Sequence, residues 1–233
     1  MYKKQKVSVV FPAYNEEEGI AKAVADFSSQ PCVDEVIVVD NNSSDRTAEF
    51  AKKAGAKVIT ETKQGYGNAI QRGLREANGD IVIVAEPDGT FIARDVEKLL
   101  AYINDFEFVL GSRINSSLVW EGANMGLFLK WGNWFIAKLI QFLYGGPALT
   151  DVGCTLRAIR RGALEKIQGR FSVGGSAFSP EMIVLALKAG VRTMEVPVNY
   201  LPRLGKSKIT GDKVKAFRLG LRMIWLIFSR KFS

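Results

Sequence analysis

VSVVFPAYNE, residues 7–16, sets five strand-forming positions directly before a proline and a polar cluster. Val7–Phe11 is short, β-branched and uncharged, so it reads as a buried strand that Pro12 ends, with Ala13–Glu16 as a loop. A helix is expected from about Glu17 to Ser28. The unit then recurs. EVIVV at 35–39 stops at Asp40-Asn41-Asn42-Ser43-Ser44, and Asp45 stands where it would cap a helix running to Ala54. KVIT at 57–60 is a third strand, Gly65–Ala77 a helix opened by glycines, and IVIVA at 81–85 a fourth strand. Strands alternating with helices predict an α/β fold, a right-handed, mostly parallel sheet flanked by helices. Ligands of such sheets bind outside the carboxyl ends of the strands. This sequence puts Tyr14-Asn15-Glu16, Asp40-Asn41 and Glu86-Pro87-Asp88 there.

Further along, EFVL at 107–110 is a strand leading to Gly111-Ser112-Arg113, Pro180–Ala189 a helix, Arg192–Val196 a strand, and PRLGKSKIT at 202–210 a basic loop. We expect one catalytic domain over 1–212, holding a Trp-rich insert at 118–145, and then a basic amphipathic helix at 213–233. The 233 residues contain no histidine, which excludes Ser-His-Asp and Cys-His catalysis, an imidazole base and an HExxH zinc helix. Carboxylates, Lys/Arg, backbone donors or a hard cation remain, and Mg²⁺ or Mn²⁺ fits that inventory. Cys32 and Cys154 form no CxxC pair, so neither a disulfide framework nor a zinc site is expected, and a reducing compartment follows. Behind MYKKQK only Val7 to Phe11 leans apolar, too short a run for a secretory signal, so the chain is expected in the cytosol.

The formal charge of +8 is local. Residues 1–202 hold 23 basic and 23 acidic side chains, whereas 203–233 hold nine basic residues against Asp212 alone. Trp120, Trp131 and Trp134 lie within residues 118–144, where 18 of 27 positions are apolar, and Trp225 lies in the tail. Phe217, Leu221, Ile224 and Phe228 recur at helical spacing beside a stripe of Lys215, Arg218 and Arg222. That pattern describes helices lying on a membrane surface, through residues 118–144 and 213–230, with the rival reading of a helix packed on the domain. Lys130, Lys138, Arg218 and Arg222 interrupt both stretches, so neither is a transmembrane span. A nucleic-acid partner is disfavoured, because the body is neutral and the tail's aromatics follow one helical face.

Glu86 and Asp88 stand two apart after a buried strand, so in extended backbone their carboxylates point the same way, toward a divalent cation bridging two phosphates. Asp40 is placed to accept from a base or ribose hydroxyl, or equally to cap a helix. The glycines of KQGYGNAIQRG (63–73) make neither a GxGxxG fingerprint nor a P-loop.

Taken in order, VSVVFPAYNEEEGI, EVIVVDNNSSDRT, KQGYGNAIQRGL, GDIVIVAEPDGTFIARDVEKLL, VLGSR, TDVGCTLRAIRR and SPEMIVLALKAGVRTMEVPVNYLPRLGKSKIT resemble glycosyltransferase family 2 over about residues 5–212. Within it, the resemblance is to the polyprenyl-phosphate sugar synthases, such as dolichyl-phosphate mannose synthase and undecaprenyl-phosphate glucosyltransferases. The resemblance implies a GT-A fold, a nucleotide-diphosphate sugar donor of the GDP-mannose or UDP-glucose type, Mg²⁺ or Mn²⁺, and inversion at the anomeric carbon. It also implies a polyprenyl phosphate acceptor and peripheral attachment to the cytoplasmic face of a membrane, and leaves open a separate membrane partner protein.

Residue by residue, the resemblance assigns Pro12, Ala13, Tyr14, Glu16 and Gly65 to the donor, with Asp40 on the base or ribose. Glu86 and Asp88 stand at the metal motif with Thr90 as a third contact, and Arg113 meets a phosphate of acceptor or donor. Arg203, Ser207 and Lys208 match a loop closing over the pyrophosphate, and Asp151 matches an aspartate near the acceptor. Glu86 departs from the usual first Asp, and Asn41 from a common second Asp. A lipid phosphate is already anionic and needs no strong base, which suits a chain without histidine. Asp88, Asp151 and Arg203 then carry catalysis: a metal on Asp88, with Arg203 and Lys208, neutralises the leaving diphosphate, while Asp151 orients the acceptor or sugar. Two alternatives stand beside this reading. One is a family 2 transferase acting on a saccharide or protein hydroxyl with Asp151 as base, the other a catalytically silent lipid- or nucleotide-binding subunit.

Overall fold

A computed structural model describes residues 1–123, 126–204 and 213–232, with only the backbone described for Phe128 and 213–215. The alternating segments become β1 (Val7–Ala13), α1 (Ile20–Ser28), β2 (Glu35–Asp40), α2 (Thr47–Lys53), β3 (Lys57–Thr60), α3 (Tyr66–Glu76) and β4 (Ile81–Val84). They are followed by α4 (Val96–Tyr102), β5 (Phe108–Ser112), α5 (Leu127–Tyr144), β6 (Arg157–Arg160), α6 (Arg161–Gln168), α7 (Phe178–Lys188), β7 (Thr193–Pro197) and α8 (Lys213–Lys231). The strands form one sheet in the order β3-β2-β1-β4-β6-β5-β7. Only β6 runs antiparallel, pairing with β4 and β5. Its RAIR sequence hides a strand, because charges at both ends leave two apolar residues between them.

Alternation along the strands separates two cores. Val7, Val9 and Phe11 pack with Val36, Val38, Ile81 and Ile83 under α1, α2 and α4. Val10, Ile37, Val39, Val82 and Val84 face the other way, under α3 and α5–α8. Burial on both faces explains why the central strands read as unbroken apolar runs.

Among the boundaries that differ from expectation, two have clear local reasons. Pro12 does not end β1, which continues to Ala13 with Pro12 opposite Val39. The Val10 carbonyl accepts from Ala85 and the Ala13 carbonyl from Asn41, so Pro12 faces the β4 side, beyond the end of the β1–β4 ladder at Val10 and Val84. A residue without an N–H is tolerated there. Asp45 is not the N-cap residue of α2, which begins at Thr47 after Arg46. Its carboxylate still accepts from the Thr47 N–H at 3.0 Å, so the capping contact comes from one position earlier.

α8 lies against α5 and α7 rather than standing apart as a separate segment. Met223, Leu226 and Ile227 are buried in the second core, and the Tyr144 hydroxyl donates to the Ile227 carbonyl at 2.6 Å. Arg230 ion-pairs with the buried Glu181 at 2.5 Å, and Lys231 donates to the Leu143 carbonyl at 2.5 Å. These two tail cations therefore face the protein. The stripe expected to be apolar is divided, with Ile224 partly buried against the core and Phe217, Leu221 and Phe228 exposed beside Trp225. Among the described residues no helix is long and apolar enough to cross a membrane.

Candidate active site

β2 and β4 lie on opposite sides of β1, so the carboxyl ends of β1 and β4 border the crevice that such a switch in strand order creates. A cavity of about 1020 Å³ opens there, with Pro12, Ala13, Tyr14, Glu16, Glu86 and Asp88 along one end. Asp40 does not line it. Its carboxylate takes the Ser43 N–H at 3.3 Å, and the neighbouring Asn41 borders the cavity instead. Asn41 accepts from the Gly65 N–H at 2.7 Å and donates to the Glu61 and Lys63 carbonyls. Gly65 is thus a tether for the loop, while Gln64 and Tyr66 on either side reach the cavity.

The turn after β4 needs a left-handed residue at Gly89, φ +79°, and this folds Thr90 back onto Asp88. The Thr90 N–H and hydroxyl both donate to Asp88 Oδ1, at 3.0 and 2.5 Å. Thr90 therefore orients the aspartate and does not itself border the cavity, contrary to its expected place as a metal contact. Asp88 Oδ2 has no hydrogen-bond donor but lies 3.0 Å from Arg203 Nη1. Arg203 also reaches Glu16 at 2.5 Å. The backbone holds this contact in place, through Leu204 N–H to the Asp88 carbonyl at 2.8 Å and Leu201 N–H to the Thr90 carbonyl at 2.9 Å. Ser207 and Lys208, expected on the same loop, lie outside the described residues.

Burial, and then the adjacent Asp88 charge, push the Glu86 carboxyl up to about 8. Two crowded carboxylates and an Asp88 oxygen without a donor fit a hard cation. Among the described residues no three acidic, histidine or cysteine side chains cluster as a metal cage. Further ligands would come from phosphate and water, the usual arrangement for Mg²⁺ and Mn²⁺ beside a nucleotide. A testable consequence concerns the chelated protein. Between about pH 4.5 and 8 the folded state holds a proton on Glu86 that the unfolded chain has lost, so this group makes stability fall as pH rises. Glu86→Gln should flatten that decline, which melting temperatures in EDTA at pH 5 and pH 8.5 would reveal. Equal slopes for both proteins would refute it.

Deeper in the cavity, Arg113 forms a two-pronged pair with Asp151, through Nε at 2.8 Å and Nη2 at 2.9 Å. Backbone N–H groups of Arg113 and Gly153 complete the Asp151 shell at 3.0 and 3.1 Å. Burial opposes the Asp151 charge, but these donors and the guanidinium overcome it and hold the carboxyl below its ordinary range. Asp151 does not border the cavity, whereas Arg113 and Gly153 do. Its part is therefore to position Arg113. A Cβ at Gly153 would come within 2.5 Å of Asn133 Oδ1 and 3.0 Å of Arg113 Nη2, so any side chain there would push these two side-chain ends aside. Asn133 of α5 thereby joins this wall, as does Tyr200, whose ring lies 4.9 Å from the Arg113 guanidinium. Neither was anticipated, since an asparagine inside a Trp-rich helix and a tyrosine after β7 carry no local signal. Cys154 is buried, and burial pushes its thiol up to about 12, so it is no nucleophile.

The sequence model of glycosyl transferase family 2 matches residues 8–168 of this chain. The chain belongs to glycosyl transferase family 2. An uncharacterised protein of Methanocaldococcus jannaschii shares 33% identity with this family 2 chain over 233 residues, 95% of this chain and 94% of the relative. The dolichyl-phosphate hexose transferase of Haloferax volcanii shares 33% over 205 residues, 87% of this chain and 86% of the relative. Glucosyl-3-phosphoglycerate synthase of Mycobacterium tuberculosis, solved with Mn²⁺, UDP-glucose and phosphoglyceric acid, is similar at a TM-score of 0.73 and 21% identity, over 98% of this chain and 80% of that one. At that identity the likeness speaks for the fold. The architecture is of the GT-A type, with a mixed, mostly parallel sheet between helical layers.

Proposed function

We propose that this family 2 glycosyltransferase moves a hexose from a nucleoside-diphosphate sugar to a polyprenyl phosphate, with inversion, while resting on the cytoplasmic face of a membrane. One observation carries the reading: the cavity that starts at Glu86, Asp88, Arg113 and Arg203 continues without a break between α5 and α8. There its walls are Leu127, Leu129, Phe135, Ile136, Phe217 and Leu221. A charged end joined to an apolar groove suits a ligand that is a phosphate at one end and a hydrocarbon at the other. Around the groove, Trp131, Phe135, Phe217 and Trp225 are exposed, the last at 72%, a patch that supports contact with lipid. The relative named dolichyl-phosphate hexose transferase adds to the case.

In this reading the donor diphosphate lies between Glu16, Asp88 and Arg203, and Arg113 meets the acceptor phosphate. Arg203 leaves its carboxylate partners for the leaving diphosphate as charge builds there. Asp88 and Glu86 would hold a Mg²⁺ or Mn²⁺, which would supply Lewis-acid stabilisation of the leaving diphosphate. Asp151 keeps Arg113 aimed. The alternative with a hydroxyl acceptor is less well served, because it needs a base and the Asp151 lone pairs are committed to Arg113 and Gly153.

The test is to incubate the protein and Mn²⁺ or Mg²⁺ with a short polyprenyl phosphate and radiolabelled UDP-glucose or GDP-mannose. Label should pass into butanol and depend on the phosphate of the lipid. Label moving instead to a soluble saccharide or phosphoglycerate, with none on lipid, would exclude the reading.

A further inference from the structure

Two side-chain hydroxyls on the cavity wall have no use in the scheme above. Tyr66, the first residue of α3, and Thr155, between Asp151 and β6, both border the cavity. Tyr66 Oη and Thr155 Oγ1 are each shielded from solvent, and among the described residues neither has a hydrogen-bond partner beyond its contact with the other. Thr155 lies close enough to act on the Tyr66 phenol, which is also within reach of the Glu86 and Asp88 charges. Behind them Arg157 is 3% exposed, donates to the Ser179 and Cys154 carbonyls, and has no acidic partner among the described residues. Two buried hydroxyls that meet only each other, backed by a buried cation, leave hydrogen-bonding capacity unused, and native proteins leave few such groups without a reason.

We propose that Tyr66 and Thr155 form the subsite that reads the hydroxyl groups of the transferred hexose. This rests on the donor reading above and refines it. The placement favours the sugar over the rest of the donor, because the nucleoside end is bordered by Pro12, Ala13 and Tyr14, whereas this pair stands beside Glu86 and Asp88, where the diphosphate joins the sugar. A sugar hydroxyl both donates and accepts, so one or two of them take up the donor and the lone pairs that the Tyr66–Thr155 contact leaves unused. Sites that leave buried polar groups unpaired with the wrong substrate discriminate strongly, more so than apolar pockets do.

The experiment is equilibrium binding in Mn²⁺, independent of any acceptor. UDP and GDP are measured alone, then UDP-glucose, UDP-galactose and GDP-mannose, and each sugar's contribution is taken as the ratio to its own nucleoside diphosphate. Tyr66→Phe and Thr155→Val should leave UDP and GDP affinity within about twofold. The best-bound nucleotide sugar should weaken by about tenfold, the loss of one hydrogen bond, and the spread among sugars should narrow. Thr155→Ser should keep the wild-type order. An unchanged spread in both variants, or parallel loss of UDP and GDP affinity, would overturn the subsite. Absence of any UDP or GDP binding by the wild type would instead overturn the donor reading, and the subsite with it.

Discussion

Asp88→Asn is expected to lower sugar transfer by about three orders of magnitude while the protein stays folded. The substitution keeps the shape of a side chain that is 1% exposed, and the amide oxygen can still accept from Thr90, which holds Oδ1 in place. What disappears is the charge on Oδ2, the atom with no hydrogen-bond donor, 3.0 Å from Arg203. In the proposed mechanism that atom offers a full negative charge to the cation, and the same charge keeps Arg203 poised over the diphosphate. Losing several kcal/mol of transition-state stabilisation corresponds to about a thousandfold in rate. Initial rates with Mn²⁺ and with EDTA, beside a melting curve, make the test. A variant that keeps more than a tenth of the metal-dependent rate would remove Asp88 from the centre of the site.

Arg113→Ala should have the largest effect on stability, about 3 kcal/mol at neutral pH. The Asp151 side chain is fully buried and its partner is 11% exposed. Removing the guanidinium therefore leaves a carboxylate with backbone donors alone in a low-dielectric setting. Burial then drives the Asp151 carboxyl upward, where in the wild type the Arg113 charge holds it down. The sign follows from linkage. In the wild type the lowered carboxyl contributes stability above its unfolded value, lost as pH falls through the folded one; in the variant that contribution becomes a penalty. The deficit should thus be greatest near pH 7.5 and shrink toward about pH 4, where the unfolded carboxyl takes up a proton. Arg113→Ala with Asp151→Ala should recover part of the loss, because no charge is stranded. Urea unfolding of both variants at the two pH values decides it. A single variant that loses under about 1 kcal/mol, or a deficit independent of pH, would mean that the pair is not what holds this wall together.

How far these sites were visible in the chain depends on how local each one is. Glu86 and Asp88 follow a buried strand and are two residues apart, so their nearness is local in the chain, although it is the turn after β4 and not the strand that holds them. Arg203 was expected beside a diphosphate from its motif, and it stands 3.0 Å from Asp88. Asp40 and Asn41 show the limit. Both stand at the end of β2, but which one faces the cavity depends on the twist of the strand end and on the tether from Asn41 to Gly65. Thr90 was expected as a metal contact, and in the fold its hydroxyl turns to Asp88 and not to the cavity.

The parallel strands of the sheet, the neutral body with its basic tail, and the exclusion of imidazole chemistry follow from the chain alone, because apolar periodicity, charge position and the absence of a residue type are properties of a string. The family does too, through motifs in a fixed order, and its model matches residues 8–168. Three-dimensional packing added what joins distant segments. It paired Arg113 with Asp151, brought Asn133 of a Trp-rich helix to Gly153, and set Tyr66 beside Thr155 on one cavity with no further hydrogen-bond partner among the described residues. It also divided the tail's cations, turning Arg230 and Lys231 inward to Glu181 and Leu143. Such contacts span tens of residues, and their energies depend on burial and distance, neither of which exists until the chain has closed on itself.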